Sequence, residues 1–281
     1  MYKTLLVPYV NRDSERAALT AALELAASCD AHVIVLVTVD VPPVVSDEWG
    51  VLTQDFFQRA LDEARARAEA LAQQLRARCR VAARSGVRLV DAFALQPAHT
   101  AALHARYADL AIIPSAPEHG ARADSKLAHH YFRELLTTSG TPVLVVPAST
   151  AAQLPARHAV IAWQPTREAS RAVHDAMPLL NAAESVDVLV VDPEVGEAFH
   201  GPQPGADIAA HLARHGLKVQ VYARPSMGRT VATAILDHVR EVGADLLIAG
   251  GYGHSRLREF VLGGVTRDLF ESTTVPVLFA H

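Results

Sequence analysis

Short unbroken runs of apolar residues alternate along this chain with longer stretches in which apolar residues return every three or four positions. The first pattern suits strands buried on both faces of a parallel sheet, and the second suits amphipathic helices packed over it. In the N-terminal part the runs predict strands near 3–10, 32–40, 87–94, 109–114 and 142–147, and helices near 13–28, 52–79, 97–106 and 126–138. In the C-terminal part strands are expected near 158–163, 186–192, 218–223, 244–250 and 276–280, with helices near 167–181, 205–215, 228–241 and 264–273. The clearest helix is 52–79, where Leu61, Ala64, Ala68, Leu71 and Leu75 form one apolar stripe. Its many arginines read as a solvated face.

The two parts also resemble each other. LLVPYVNRDSERAAL (5–19) lies over AVIAWQPTREASRAV (159–173) at an offset of 154. VIVLVTVD (33–40) matches DVLVVD (187–192), ADLAIIPS (108–115) matches ADLLIAGG (244–251), and TPVLVV (141–146) matches VPVLFA (275–280). Four matches in one order imply two copies of one unit. The expected fold class is therefore α/β, with two tandem, Rossmann-like, open five-stranded sheets, mainly parallel and covered by helices on both faces. Boundaries are expected at 1–147 and 157–281, joined by a small, polar linker at 148–156 that is too short to let the copies separate far. Each copy ends in an uncharged, proline-led strand, 142–146 and 276–280. Such strands lie at sheet edges and invite a partner.

Composition narrows the function. Of the 281 residues 50% are hydrophobic and 20% charged, and the net charge is −4, which disfavours a nucleic-acid binder. No apolar run approaches membrane-spanning length, and the N-terminus lacks the shape of a signal peptide, so a cytoplasmic protein is expected. Cys29 and Cys79 fit neither a metal spacing nor a disulfide framework. His99, His104, His119, His129 and His130 show no compact ligand spacing, so no metal site is expected. Ser115 and Ser255 lie in no nucleophile elbow, and there is no P-loop. Trp49 and Trp163 read as packing residues.

The strongest chemical signal is IAGGYGHSRLREFVLGGVTRDLF, residues 248–270. It starts at the carboxyl end of an expected strand, where open α/β sheets hold ligands. Gly250, Gly251 and Gly253 permit positive φ and close approach to backbone, and Gly263 and Gly264 stand where the last helix begins. Unpaired N–H groups at that helix start, with the Thr266 hydroxyl and the charges of Arg256 and Arg258, would cradle an anion. A tight strand-to-helix connection would use the same glycines. The first copy has Pro114, Ser115, Ala116 and Pro117 in place of the first glycines, and His129 and His130 in place of the second pair. No nucleotide is expected there, because proline removes a donor and β-carbons crowd the approach.

The spacing of Gly250, Gly253 and Gly263, flanked by Leu257, Glu259, Leu262, Val265 and Thr266, resembles the G-x2-G-x9-G-[S/T] loop of the universal stress protein family. With the two-copy architecture, the resemblance covers nearly the whole chain; it implies that single-domain members dimerise through their last strand, so 142–146 and 276–280 are expected to run antiparallel across the boundary as an intramolecular pseudo-dimer. It implies a stress-response regulator that binds ATP or AMP in its C-terminal domain, with magnesium accompanying ATP. The site it implies comprises Gln164, Val190, Gly250, Gly251, Gly253, Gly263, Gly264, Val265 and Thr266. Nucleotide-binding members carry an aspartate after the first strand, where this chain has Val10 in one copy and Gln164 in the other. Val190 takes the place of the small aliphatic residue that packs on adenine, and Gly264 replaces the Ser/Thr of the loop. A nucleotide-free interaction scaffold and a slow ATPase stay open as alternatives, although no carboxylate pair suits a metal or an attacking water. A protein partner and a homodimer of chains are further expectations without an assigned surface.

Overall fold

The computed structural model describes residues 1–10, 14–39, 54–79, 84–92, 96–116, 122–147, 154–193, 202–252 and 263–281. Five strands and four helices form each half, in the expected order. The N-terminal half contains β1 (Thr4–Tyr9), α1 (Ser14–Cys29), β2 (His32–Val39), α2 (Gln54–Cys79), β3 (Ser85–Asp91), α3 (Pro97–Ala105), β4 (Leu110–Pro114), α4 (Arg122–Thr138) and β5 (Val143–Val146). The C-terminal half contains β6 (His158–Ala162), α5 (Arg167–Leu180), β7 (Ser185–Val191), α6 (Ala206–Arg214), β8 (Val219–Arg224), α7 (Val231–Val242), β9 (Leu246–Gly250), α8 (Gly264–Ser272) and β10 (Val277–Ala280).

All ten strands join one sheet in the order β3-β2-β1-β4-β5-β10-β9-β6-β7-β8. Each half is parallel within itself, and the single antiparallel joint is β5 against β10, with Val143 opposite Phe279, Leu144 opposite Leu278 and Val145 opposite Val277. The terminal strands therefore pair as expected. Around the joint, Phe132 of α4 stacks on Phe270 of α8 (centroids 4.4 Å apart) and meets Phe279 edge-on. His129 also contacts Glu271 across the joint (2.8 Å). On the other face the Tyr2 hydroxyl donates to the Asp175 carbonyl (2.6 Å).

The two core layers follow the period-2 alternation of the strands. One contains α1, α2, α5 and α6, packed on residues such as Leu5, Val35, Leu144, Ile161, Val188 and Val190. The other contains α3, α4, α7 and α8, packed on Leu6, Ile113, Val145, Val160, Leu189, Val191 and Phe279. Leu61, Ala64, Ala68 and Leu75 of α2 are buried as the stripe required, and both cysteines are free and buried at the ends of their helices. The matched ADL segments share a structural task. Asp109 accepts hydrogen bonds from the N–H groups of Lys3 and Thr4 (2.6 and 2.9 Å), and Asp245 accepts from those of Arg157 and His158 (3.0 and 2.8 Å). Each aspartate fixes the start of the first strand in its own half. Among the described residues no helix is long and apolar enough to cross a membrane.

At the amino end of the C-terminal sheet, His238 is 1% exposed and neither ring nitrogen has a hydrogen-bond partner. Asp187 lies 3.7 Å away and the Tyr222 ring 4.8 Å away. Burial holds the His238 pKa below its usual value; Arg224 and His158 push the same way, against Asp187 and Glu241. The folded chain thus keeps the ring neutral, whereas the unfolded chain protonates it near its ordinary value of about 6.5. The stability contributed by this group is present above that value and declines as pH falls through the window down to the folded pKa. Thermal unfolding is expected to move down between about pH 7 and pH 5, and less so in His238→Leu. An equal shift in both proteins would contradict this.

Candidate functional site

The strand order reverses around β6, which has β9 on one side and β7 on the other. The chain leaves β6 through α5 on one face and returns to β9 through α7 on the other, so a crevice opens at the carboxyl ends of β6 and β9. A cavity of about 400 Å³ lies there. Its apolar walls include Leu189 and Val191 of β7, Val231 and Ile235 of α7, Ala249 of β9 and Leu269 of α8. Polar groups enter from Gln164, Thr166 and Glu168 at the mouth and from Thr266 beside the start of α8.

The mouth is shaped by the entry into α5. Thr166 caps this helix, its hydroxyl accepting from the Ala169 N–H (3.2 Å), a pairing worth about 1 kcal/mol. Gln164, exposed at the mouth, accepts from the Thr166 N–H through its carbonyl (2.8 Å). The helix then passes close above the end of β9. A β-carbon on Gly250 would stand 2.6 Å from the Ala169 nitrogen and 2.8 Å from the Glu168 carbonyl carbon. Gly250 is thus required by backbone approach, not by a positive φ.

Gly251 has a different task. Its N–H donates to the Ala280 carbonyl (2.9 Å), and a β-carbon on it would stand 2.7 Å from Cδ2 of Leu136, in the other half of the chain. It belongs to the joint and does not line the cavity. The positive φ expected of these glycines falls instead on Tyr252, at 65°. The Tyr252 N–H donates to the Thr266 hydroxyl (3.3 Å), which ties the strand end to α8 and leaves the hydroxyl proton to donate elsewhere. Burial raises the Tyr252 phenol above its usual pKa, so it stays protonated.

Gly263 and Gly264 begin α8, and β-carbons on either would meet no described residue within 4 Å. The first turn of this helix carries no acidic residue. Val265 and Thr266 beside this start line the cavity, and a helix N-terminus that no described side chain caps is the arrangement an anion needs. Gly253, Arg256 and Arg258 lie outside the described residues.

Val190 does not line the cavity. It is 0% exposed and packs in the layer with α5 and α6, while its neighbours Leu189 and Val191 face the cavity. A one-residue shift in a strand moves a side chain to the opposite face, and the expected adenine contact falls on the wrong side for that reason. Trp163, read from sequence as a packing residue, both packs against the core and lines the cavity. Glu168 was not singled out either. The signal available for it was an acidic residue in the first turn of a helix that starts at the carboxyl end of a strand.

The equivalent place in the N-terminal half is much narrower among the described residues. Pro8, Val10, Glu15, Ile113, Pro114, Ala128 and Tyr131 leave about 30 Å³ between them. The buried Glu15 carboxylate turns inward and accepts from the Val10 N–H (2.9 Å). α4 runs without a break through His129 and His130, whereas α8 begins only at Gly264. The helix that would have offered its N-terminus therefore starts elsewhere, and Tyr131 takes up the room.

Comparison with known proteins agrees with this architecture. The sequence model of the universal stress protein family matches residues 123–281. A universal stress protein of Synechocystis sp. is 31% identical over 87 residues, a stretch that is 30% of this chain and spans only 29% of that relative. Among solved structures, a universal stress protein from Archaeoglobus fulgidus DSM 4304 superposes with a TM-score of 0.66 at 16% identity, over 99% of this chain and 95% of the other. A functionally unknown protein from Pseudomonas aeruginosa PAO1 gives 0.61 at 16% identity, over 99% and 92%. The fold and the crevice define an open-sheet α/β protein with a cavity at the carboxyl ends of its C-terminal strands. The chain belongs to the universal stress protein family.

Proposed function

We propose that this chain is a tandem universal stress protein that holds one adenine nucleotide, ATP or AMP, in its C-terminal half as a regulatory ligand. The observation that carries the proposal is the contrast, among the described residues, between a cavity of about 400 Å³ in one half and one of about 30 Å³ at the equivalent place in the other. The larger volume is that of a small-molecule site. The smaller has room for little beyond a water. The base would rest on the apolar wall of Leu189, Val191 and Ile235, and the phosphates would meet the uncapped N-terminus of α8. Magnesium would enter with ATP, carried on its phosphates. A nucleotide-free scaffold is the second reading, favoured by Gly250 and Gly251, whose presence packing alone explains. It leaves Gly263 and Gly264 without a reason, since no described residue crowds them.

Acid extraction of the purified protein should release an adenine nucleotide, identified by absorbance and mass. Titration calorimetry on stripped protein should give one site per chain; two equivalent sites would overturn the assignment. Gly264→Glu should weaken binding about 100-fold or more, because a carboxylate would stand where the phosphates approach. The fold should tolerate it, as no described residue crowds Gly264. Unchanged affinity would show that the start of α8 holds no phosphate.

A further inference from the structure

We infer that Glu168 sets the ligand preference of this cavity by accepting hydrogen bonds from the ribose hydroxyls of the nucleotide, an inference that rests on the nucleotide reading above. Two helices bring their N-termini to the cavity. That of α5 is satisfied from within, by the Thr166 cap and by Glu168 in its first turn. That of α8 has neither a cap nor an acidic residue. The two ends therefore differ in character: one takes an anion, and the other offers a carboxylate and repels one.

The Glu168 side chain is only 12% exposed, and its ion pair is with Arg167, itself 79% exposed, at 3.3 Å from Oε1. No protein donor reaches Oε2 among the described residues. This oxygen is not sealed among the buried unpartnered atoms and so opens to the cavity side, where a ligand's O–H or N–H groups are placed to reach it.

The position of Glu168 across the sheet selects which donors these are. Reading across β7, β6 and β9, β7 and α7 supply Leu189, Val191, Val231 and Ile235 to the apolar wall, β9 and α8 add Ala249 and Leu269, and the start of α8, which follows β9, supplies the anion end. The Glu168 main chain crosses the end of β9 at Gly250, between these two regions. In a nucleotide the sugar joins base to phosphate, so the hydroxyls of the ribose fall at this carboxylate.

The test titrates the full chain with AMP, with its 2′,3′-dideoxy analogue and with inosine monophosphate, which lacks the exocyclic amine. Wild-type protein should favour AMP over the dideoxy analogue by about tenfold or more, as charge-assisted hydrogen bonds do. Glu168→Ala should abolish that preference, Glu168→Gln should leave part of it, and neither should change the ratio of AMP to inosine monophosphate. A dideoxy ratio that survives in Glu168→Ala overturns the inference while leaving nucleotide binding intact. A changed inosine ratio also overturns it, by putting the base amine at Glu168. Failure of wild-type protein to bind any of the three overturns the nucleotide reading itself, and this inference with it.

Discussion

A lysine in place of Leu144 should remove a large part of the stability of this protein. Leu144 is 0% exposed at the antiparallel joint and lies opposite Leu278. The substitution forfeits about 2 kcal/mol of apolar burial and leaves a charge without a partner, which costs about another 3–5 kcal/mol. Against a total stability of about 5–15 kcal/mol, the melting temperature should fall by on the order of 10 °C or more. Because both core layers continue across the joint, damage there reaches both halves. Val221→Lys is the control: Val221 is 41% exposed on the edge strand β8, and the change should be nearly neutral. Similar melting temperatures for the two variants would show that the joint contributes little. Rapid proteolytic cleavage between the halves of Leu144→Lys, with each half surviving, would show that they fold independently.

Gly250→Ala should destabilise the protein and, on the proposed nucleotide reading, weaken binding in its cavity. The added methyl group meets backbone atoms of α5 at 2.6 and 2.8 Å, and no side chain can swing away to make room. Overpacking of this kind costs about 1–3 kcal/mol. The beginning of α5 must retreat, taking Gln164, Thr166 and Glu168 with it, so nucleotide affinity should fall by about tenfold or more. Gly264→Ala makes the comparison sharp. No described residue crowds that position, and alanine suits a helix better than glycine, so stability should hold or rise by up to about 1 kcal/mol. Denaturant unfolding of the two variants side by side decides the matter: equal losses would mean that Gly250 is not held by the passage of α5.

These two glycines lie 14 positions apart in one motif, and nothing in their spacing reveals that one is crowded by packing while no described residue crowds the other. What the sequence determined by itself was everything carried by local periodicity and by repetition. The ten strands and eight helices were legible because a buried parallel strand is continuously apolar and a helix recurs every three or four residues. That each half ends in an edge strand open to a partner was legible from its lack of charge, and the resemblance to the family supplied the antiparallel pairing of β5 with β10. The contrast between the halves could be read from His129 and His130 standing where the other half has Gly263 and Gly264.

Tertiary structure alone decided which segments pass close to one another. That is why Gly250 answers to α5 and Gly251 to Leu136 across the joint, and why Leu189 and Val191 face the cavity while Val190 does not. It also decided that Trp163 and Glu168 line the cavity. Strand alternation fixes that neighbours face opposite ways, but the side on which a cavity opens depends on helices distant in sequence.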